Sequence, residues 1–225
     1  MNRYIKNQNM LSEEENLRLR EFSVAVAGCG GLGGYLIEML ARLGIGHITA
    51  IDGDVFDVSN LNRQLLSLPE NIGKSKALAA KQRVAVVNPE ITVTAIESFL
   101  TKENATELLS GHHVICDALD SISARLLVQK AAEELETPMV HAAIAGWYAQ
   151  VCTIFPGERT LNSIYPIDFD KGEETDFGNP SFTPALAASI QVAEVLKVML
   201  HKDHPLRNKL LTINLLDHEY TIIEL

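Results

Sequence analysis

Apolar residues fall into two rhythms along the first 150 positions of the chain. Short continuous runs of strand length, Phe22 to Ala27 and His47 to Ile51, alternate with stretches of helical spacing such as Tyr35 to Leu43, which Gly44 and Gly46 stop. Strand, glycine turn, helix and strand make one βαβ unit, which a right-handed crossover makes parallel. The alternation continues. Lys74 to Val87 predicts a helix ended by Asn88-Pro89, and Ile91 to Phe99 a strand. A helix near Lys102 to Leu109, a strand at Val114 to Asp117, a long helix over Ser121 to Glu136 and a strand at Met139 to Ala143 follow. Repeated units of this kind predict an α/β fold, with an open, mostly parallel sheet and helices on both faces.

The two ends of the chain read differently. Ser12-Glu13-Glu14-Glu15 is a capping box for a short charged helix, with Glu14 and Arg18 spaced i,i+4. After Gln150, Val151 to Phe155 reads as a strand, and Pro156 to Ser181 then shows no periodicity. That stretch is longer than a connector, and loops of such length are usually functional or mobile. Pro184 opens a last helix, with Leu186, Ile190, Ala193, Leu196 and Leu200 on one face. Leu210 to Leu216, Asp217-His218 and Tyr220 to Leu225 predict a closing hairpin of antiparallel strands. No repeat or composition break divides the chain, so residues 1–225 read as one domain with 156–181 as a loop within it.

Composition narrows the function. With 47% hydrophobic and 21% charged residues the chain is an ordinary globular one. Its net charge of −10 counts against broad binding to nucleic acid or anionic lipid, but leaves room for a local basic pocket that takes a small anion. Cys29, Cys116 and Cys152 lie far apart with no Cys-x-x-Cys pair, so neither a disulfide framework nor a cysteine zinc site is expected, and a reducing cytoplasm is the expected location. Met1 to Met10 has no apolar core and does not read as a signal peptide. No uncharged apolar run approaches the roughly 20 residues of a membrane span.

Gly28-x-Gly30-x-x-Gly33 follows a strand and opens a helix, where glycine lets the backbone approach a phosphate and the helix N-terminus favours negative charge. Asp52 lies 19 residues beyond Gly33 at the end of the second strand, placed to accept a ribose hydroxyl. To this point a dinucleotide-dependent oxidoreductase fits as well as an ATP-dependent enzyme. The next stretch separates them. Asp52-x-Asp54 leads into Ser59-Asn60-Leu61-Asn62-Arg63-Gln64 and then Gly73-x-x-Lys76. A guanidinium fork and an ammonium just after the second strand suit a triphosphate rather than a nicotinamide. Gly73-Lys74-Ser75 is not the tail of a P-loop, because position 68 is leucine. His201-x-x-His204, His112-His113 and the acidic cluster Asp168, Asp170, Glu173, Glu174 and Asp176 read as a helix end, a turn and a solvated loop.

These motifs, with Cys116-Asp117-Ala118-Leu119-Asp120 and Ser189-x-Gln191-x-x-Glu194-x-x-Lys197, resemble the HesA/MoeB/ThiF adenylyltransferases, relatives of ubiquitin-activating enzymes. The resemblance runs from Arg3 to the final hairpin and implies a Rossmann-like sheet, parallel in its N-terminal part and antiparallel at its C-terminal end. It implies an ATP site lined by Gly28, Gly30, Gly31, Gly33, Asp52, Asp54, Ser59, Asn60, Leu61, Asn62, Arg63, Gln64, Lys76, Asp120 and Ser121. In that reading Asp52 holds the ribose, Arg63 and Lys76 the phosphates, and Asp120 a Mg²⁺ ion. Ser121 stands where the family usually has asparagine. The implied reaction is attack by the C-terminal carboxylate of a small ubiquitin-like (ThiS/MoaD-type) sulfur carrier on the α-phosphorus of ATP. A carboxylate needs no general base, so the lack of a Ser-His-Asp pattern is no objection.

The resemblance also implies a homodimer in which an N-terminal Arg-Tyr-x-Arg segment reaches the partner's phosphates. The chain reads Arg3-Tyr4-Ile5-Lys6, which gives Lys6 that role. Ser163-Ile164-Tyr165-Pro166 replaces the first zinc-binding cysteine pair of many relatives, and 156–181 holds no cysteine, so neither zinc nor a covalent thioester or persulfide link to the carrier is expected. The alternatives are a tRNA base or peptide as substrate, or a nucleotide-binding scaffold without catalysis.

Overall fold

The computed structural model describes residues 3–165 and 177–225. Eight strands form one sheet in the order β3-β2-β1-β4-β5-β6-β7-β8. They are β1 (Ser23–Ala27), β2 (His47–Ile51), β3 (Thr92–Ile96), β4 (Val114–Asp117), β5 (Met139–Ala145), β6 (Tyr148–Ile154), β7 (Lys209–Asn214) and β8 (Glu219–Glu224). The pairings from β3 through β5 are parallel, and those from β5 through β8 antiparallel. The expected fold class is the observed one.

Alternation along the strands explains why both faces carry helices. Val24 and Val26 of β1 join one apolar cluster, while Ala25 and Ala27 join the other. The first cluster packs under α2 (Gly31–Leu43), α3 (Lys76–Val87) and α7 (Phe182–Met199). The second packs under α4 (Ala105–Leu109), α5 (Ile122–Glu134) and α6 (Thr160–Ile164). A strand buried on both sides reads as a continuous apolar run, as Val24 to Ala27 does. Among the described residues α7 alone is long and apolar enough to cross a membrane, but half of it is buried. It is the core helix lying on α2, β5 and β6.

The charged helix after Ser12 is α1 (Glu13–Arg18), and its capping box is present in full. The helix expected near Lys102 is shorter than its pattern. Asn104 accepts from the Thr101 N–H at 2.8 Å and donates to the Phe99 carbonyl at 3.0 Å. These side-chain bonds offer the backbone an alternative to the helix, so α4 begins only at Ala105. Conversely, the stretch expected to lack regular structure contains α6, whose Leu161 is fully buried. Five residues are too few for a period to show. Residues 166–176, with the acidic cluster from Asp168 to Asp176, lie outside the described residues.

Cys29, Cys116 and Cys152 are free and buried, and burial pushes the Cys152 thiol up to about 12. A thiol so placed is inert at neutral pH.

Candidate functional site

The chain runs from β1 outward to β3, then returns across β1 to continue at β4, so the carboxyl ends of β1 and β4 flank a topological switch point. Ligands of open α/β sheets bind there. The structure has a cavity of about 550 Å³ at this place, lined by turns that follow β1, β2 and β4 and by the end of β5.

Gly30, Gly31 and Leu32 bring the N-terminus of α2 to the cavity wall. No side chain caps that helix, since Gly30 is its N-cap residue. Its first N–H groups and the positive end of its dipole therefore face the space where an anion would sit. Gly28, at φ +97°, makes the turn, and Gly33 packs against the Gly28 carbonyl rather than lining the cavity.

Asp52 closes one side. One carboxylate oxygen accepts the Cys29 N–H at 2.7 Å and the other the Asp54 N–H at 2.8 Å. Burial nevertheless raises its pKa above the ordinary carboxylate value, against the lowering effect of those two bonds. Lys76, the first residue of α3, reaches the cavity with a nearly buried side chain and pairs with Asp54 at 2.8 Å. Arg63 enters from the other side. Its Nη1 donates to the Ser59 carbonyl at 2.9 Å and to the Asn62 side-chain oxygen at 3.0 Å. Both acceptors are neutral, and Arg63 forms no ion pair among the described residues.

The motif from Ser59 to Gln64 therefore divides its labour. Arg63 and Gln64 line the cavity. Ser59 and Asn62 hold the guanidinium, Asn60 caps the 3₁₀ turn by accepting the Asp57 N–H at 3.0 Å, and Leu61 is exposed beside them. The Gln64 side-chain oxygen is buried with no donor among the described residues. Asp120 and Ser121 stand at the N-terminus of α5, where Ser121 Oγ accepts the Ala124 N–H. Lys6 is elsewhere. Tyr4 packs its ring on Gly44 and Asn7 donates to the Leu43 carbonyl, both at the far end of α2.

Other lining residues carried no recognisable signal, among them Phe99, Arg125 and Asn179. Phe99, 64% exposed, packs against Gly53 at the cavity rim, Arg125 reaches in from α5, and Asn179 precedes α7. Phe99 reads only as the end of a strand. Arg125 is on the same helix as Ser121, but nothing in its spacing separates it from a solvated surface arginine.

Beneath the cavity Asp117 accepts a 2.6 Å bond from His141 Nδ1, with both side chains fully buried. Burial lowers the His141 pKa from 6.5, outweighing the raising effect of Asp117, and burial likewise lowers that of His112, whose Nε2 meets Thr49 Oγ1 at 2.7 Å. The unfolded chain therefore takes up protons below about pH 6.5 that the folded chain refuses, so stability falls as pH drops from 6.5. The expected slope is up to about 1.4 kcal/mol per pH unit for each histidine. Urea unfolding at pH 7.5, 6.0 and 5.0 measures it, and His112→Gln makes the dependence shallower.

The family model that decides the matter, the ThiF family, matches residues 1–225. The chain belongs to the ThiF family. It is 35% identical to a "Sulfur carrier protein adenylyltransferase" from Thermus thermophilus, over 90% of this chain and 78% of the relative. It is 30% identical to a "SAMP-activating enzyme E1" from Haloferax volcanii, over 92% and 77% of the two chains. Among solved structures, the E. coli tRNA N6-threonylcarbamoyladenosine dehydratase TcdA in complex with ATP superposes with a TM-score of 0.76 at 26% identity, over 89% of this chain and 94% of that one. The chain is thus an ATP-dependent adenylyltransferase of this family, as its motifs imply.

Proposed function

We propose that the protein adenylylates the C-terminal carboxylate of a small ubiquitin-like sulfur carrier in the cytoplasm. The observation that carries this reading is the composition of the cavity. It gathers an uncapped helix N-terminus, a guanidinium held among the described residues by neutral acceptors, and a nearly buried ammonium around one space. The resemblance to a sulfur carrier adenylyltransferase supports the choice of substrate.

In the proposed reaction a carboxylate oxygen of the carrier bonds to the α-phosphorus of ATP, the bond from that phosphorus to the bridging oxygen breaks, and pyrophosphate leaves. The nucleophile is ionised well below pH 7, so no side chain need take its proton. The obstacle is the approach of one anion to another. Arg63 supplies a planar pair of donors, Lys76 exchanges Asp54 for a phosphate oxygen, and the α2 N-terminus faces the same charge. Asp52 orients the ribose.

Among the described residues no group of three or more His, Cys, Asp or Glu could hold a metal. A lone carboxylate still suits Mg²⁺, which usually keeps several waters and binds through one or two carboxylates together with phosphates. Asp120 would hold it, and the ion would neutralise phosphate charge. Carrier-dependent exchange of labelled pyrophosphate into ATP tests the reading, and absence of exchange with every ubiquitin-like carrier supplied overturns it. The likeness to TcdA favours a second reading, activation of a tRNA base, and the −10 net charge weighs against it. ATP consumption stimulated by tRNA and by no carrier would select it.

The family resemblance supports a homodimer, with a role in trans for Lys6. Lys6 sits between Tyr4 and Asn7 at the C-terminal end of α2, and the 13 residues of that helix place it about 20 Å from its own phosphate site. A lysine so placed can neutralise phosphate only on another copy. Mixing Lys6→Ala with Arg63→Ala chains should give more activity than either variant alone, because some mixed dimers keep one intact site. No recovery after confirmed subunit exchange, or a monomer by light scattering, excludes action in trans.

A further inference from the structure

Leu119 lies between Asp117, at the end of β4, and Asp120 at the cavity. Both of its main-chain polar groups are held by side chains. Its N–H donates to Asp117 Oδ1 at 3.0 Å, and its carbonyl accepts from Arg125 Nε at 3.1 Å. Those two side chains are themselves joined. Arg125 Nη1 donates to the Tyr165 hydroxyl at 3.1 Å, that hydroxyl donates to His141 Nε2 at 3.1 Å, and His141 Nδ1 donates to Asp117 Oδ2 at 2.6 Å. Gln150 adds a 2.7 Å bond to the Tyr165 oxygen, and the Arg125 guanidinium lies 5.5 Å from the centre of the Tyr165 ring.

The bonds form a closed ring that begins and ends on one residue. Its directions are mutually consistent. A neutral imidazole with its proton on Nδ1 serves Asp117 and leaves Nε2 to accept from the phenol, which burial keeps un-ionised by raising its pKa to about 12. Asp117, His141 and Arg125 are 0%, 0% and 3% exposed. Well-packed apolar side chains can give as much stability as a buried polar set of this kind. What a fully satisfied ring adds is a single backbone geometry at Leu119, and the next residue is Asp120.

We propose that Asp117, His141, Tyr165 and Arg125 are positioning residues: the ring fixes the Leu119 backbone and so sets where the Asp120 carboxylate stands for the metal that accompanies the nucleotide. The proposal rests on the nucleotide reading above. Calorimetric titration of ATP into the full chain, once with Mg²⁺ and once with EDTA, separates the two. The ratio of the two dissociation constants measures the metal's contribution, with no carrier present. Asp120→Asn should abolish that contribution. Tyr165→Phe, which opens the ring at one atom, should reduce it by about fivefold or more, roughly the worth of one hydrogen bond. Affinity in EDTA should stay within about twofold of wild type, since the ring acts only through Asp120. In the Asp120→Asn background Tyr165→Phe should have no further effect, and protection of the Leu119 amide from hydrogen exchange should fall.

An equal loss with and without metal marks a merely structural role and overturns the proposal. So does an unchanged metal contribution, or an additive double variant. Wild-type protein that binds no ATP in either buffer overturns the nucleotide reading itself. If Tyr165→Phe does not fold, His141→Gln breaks the ring at its next member and carries the same expectations.

Discussion

Replacing Arg63 by alanine lowers carrier-dependent ATP–pyrophosphate exchange by about 10²-fold or more, the cost of removing one electrostatic contact to a transition state. Stability stays within about 0.5 kcal/mol of wild type, as for surface substitutions without a buried partner. The structure supports both halves. Arg63 is held by the Ser59 carbonyl and the Asn62 side chain, so among the described residues truncation leaves no carboxylate uncompensated. Its guanidinium is thereby pre-aimed at the cavity, and the loss falls on turnover. Arg63→Lys should recover only part of the rate, because a point charge on a flexible stem cannot reproduce the planar fork. Exchange kinetics beside a thermal melt decide the matter, and wild-type turnover in the alanine variant removes Arg63 from the mechanism.

Gly33→Val gives the largest loss of stability expected of any substitution in the glycine turn. A Cβ on Gly33 would lie 1.8 Å from the Gly28 carbonyl oxygen, which is backbone and cannot rotate away. Gly28 is itself fixed, since its N–H donates to the Ile51 carbonyl at 2.8 Å and its own Cβ position is 2.6 Å from the Ala118 oxygen. Relief requires α2 to move off β1. The cost is about 3 kcal/mol or more, at or beyond the upper end for overpacked cores, and nucleotide binding goes with it. Gly73 is the control. It has the positive φ that Gly33 lacks, +79°, but nothing lies within 4 Å of its Cβ position. Gly73→Asn should unfold at nearly the wild-type urea concentration, since asparagine tolerates the left-handed region. Equal destabilisation at the two positions would show that close packing is not what limits Gly33.

The order of strands and helices was legible in the sequence because each element announces itself locally. Val24 to Ala27 is apolar throughout because both faces of β1 are covered, Gly44 ends α2 in the left-handed conformation at φ +97°, and Ser12 with Glu15 caps α1. The same holds for the side chains that carry charge. Asp52, Arg63, Lys76 and Asp120 stand at fixed offsets from turns that the sequence punctuates, and the structure gathers all four around one cavity.

Only the tertiary structure decided the rest. Gly33 is a glycine for the sake of the Gly28 carbonyl, a contact between helix and turn that no spacing displays. Ser59, Asn60 and Asn62 prove to support Arg63 and its turn rather than to line the cavity. Asp117, Arg125, His141 and Tyr165 come from one strand end, a helix, a second strand and the turn after α6, up to 48 positions apart, and meet only when β4 pairs with β5 and α5 packs beneath. Periodicity reports which face of an element is buried. It carries no information about which polar group on one element completes the hydrogen bonds of another, because that match depends on strand order and register.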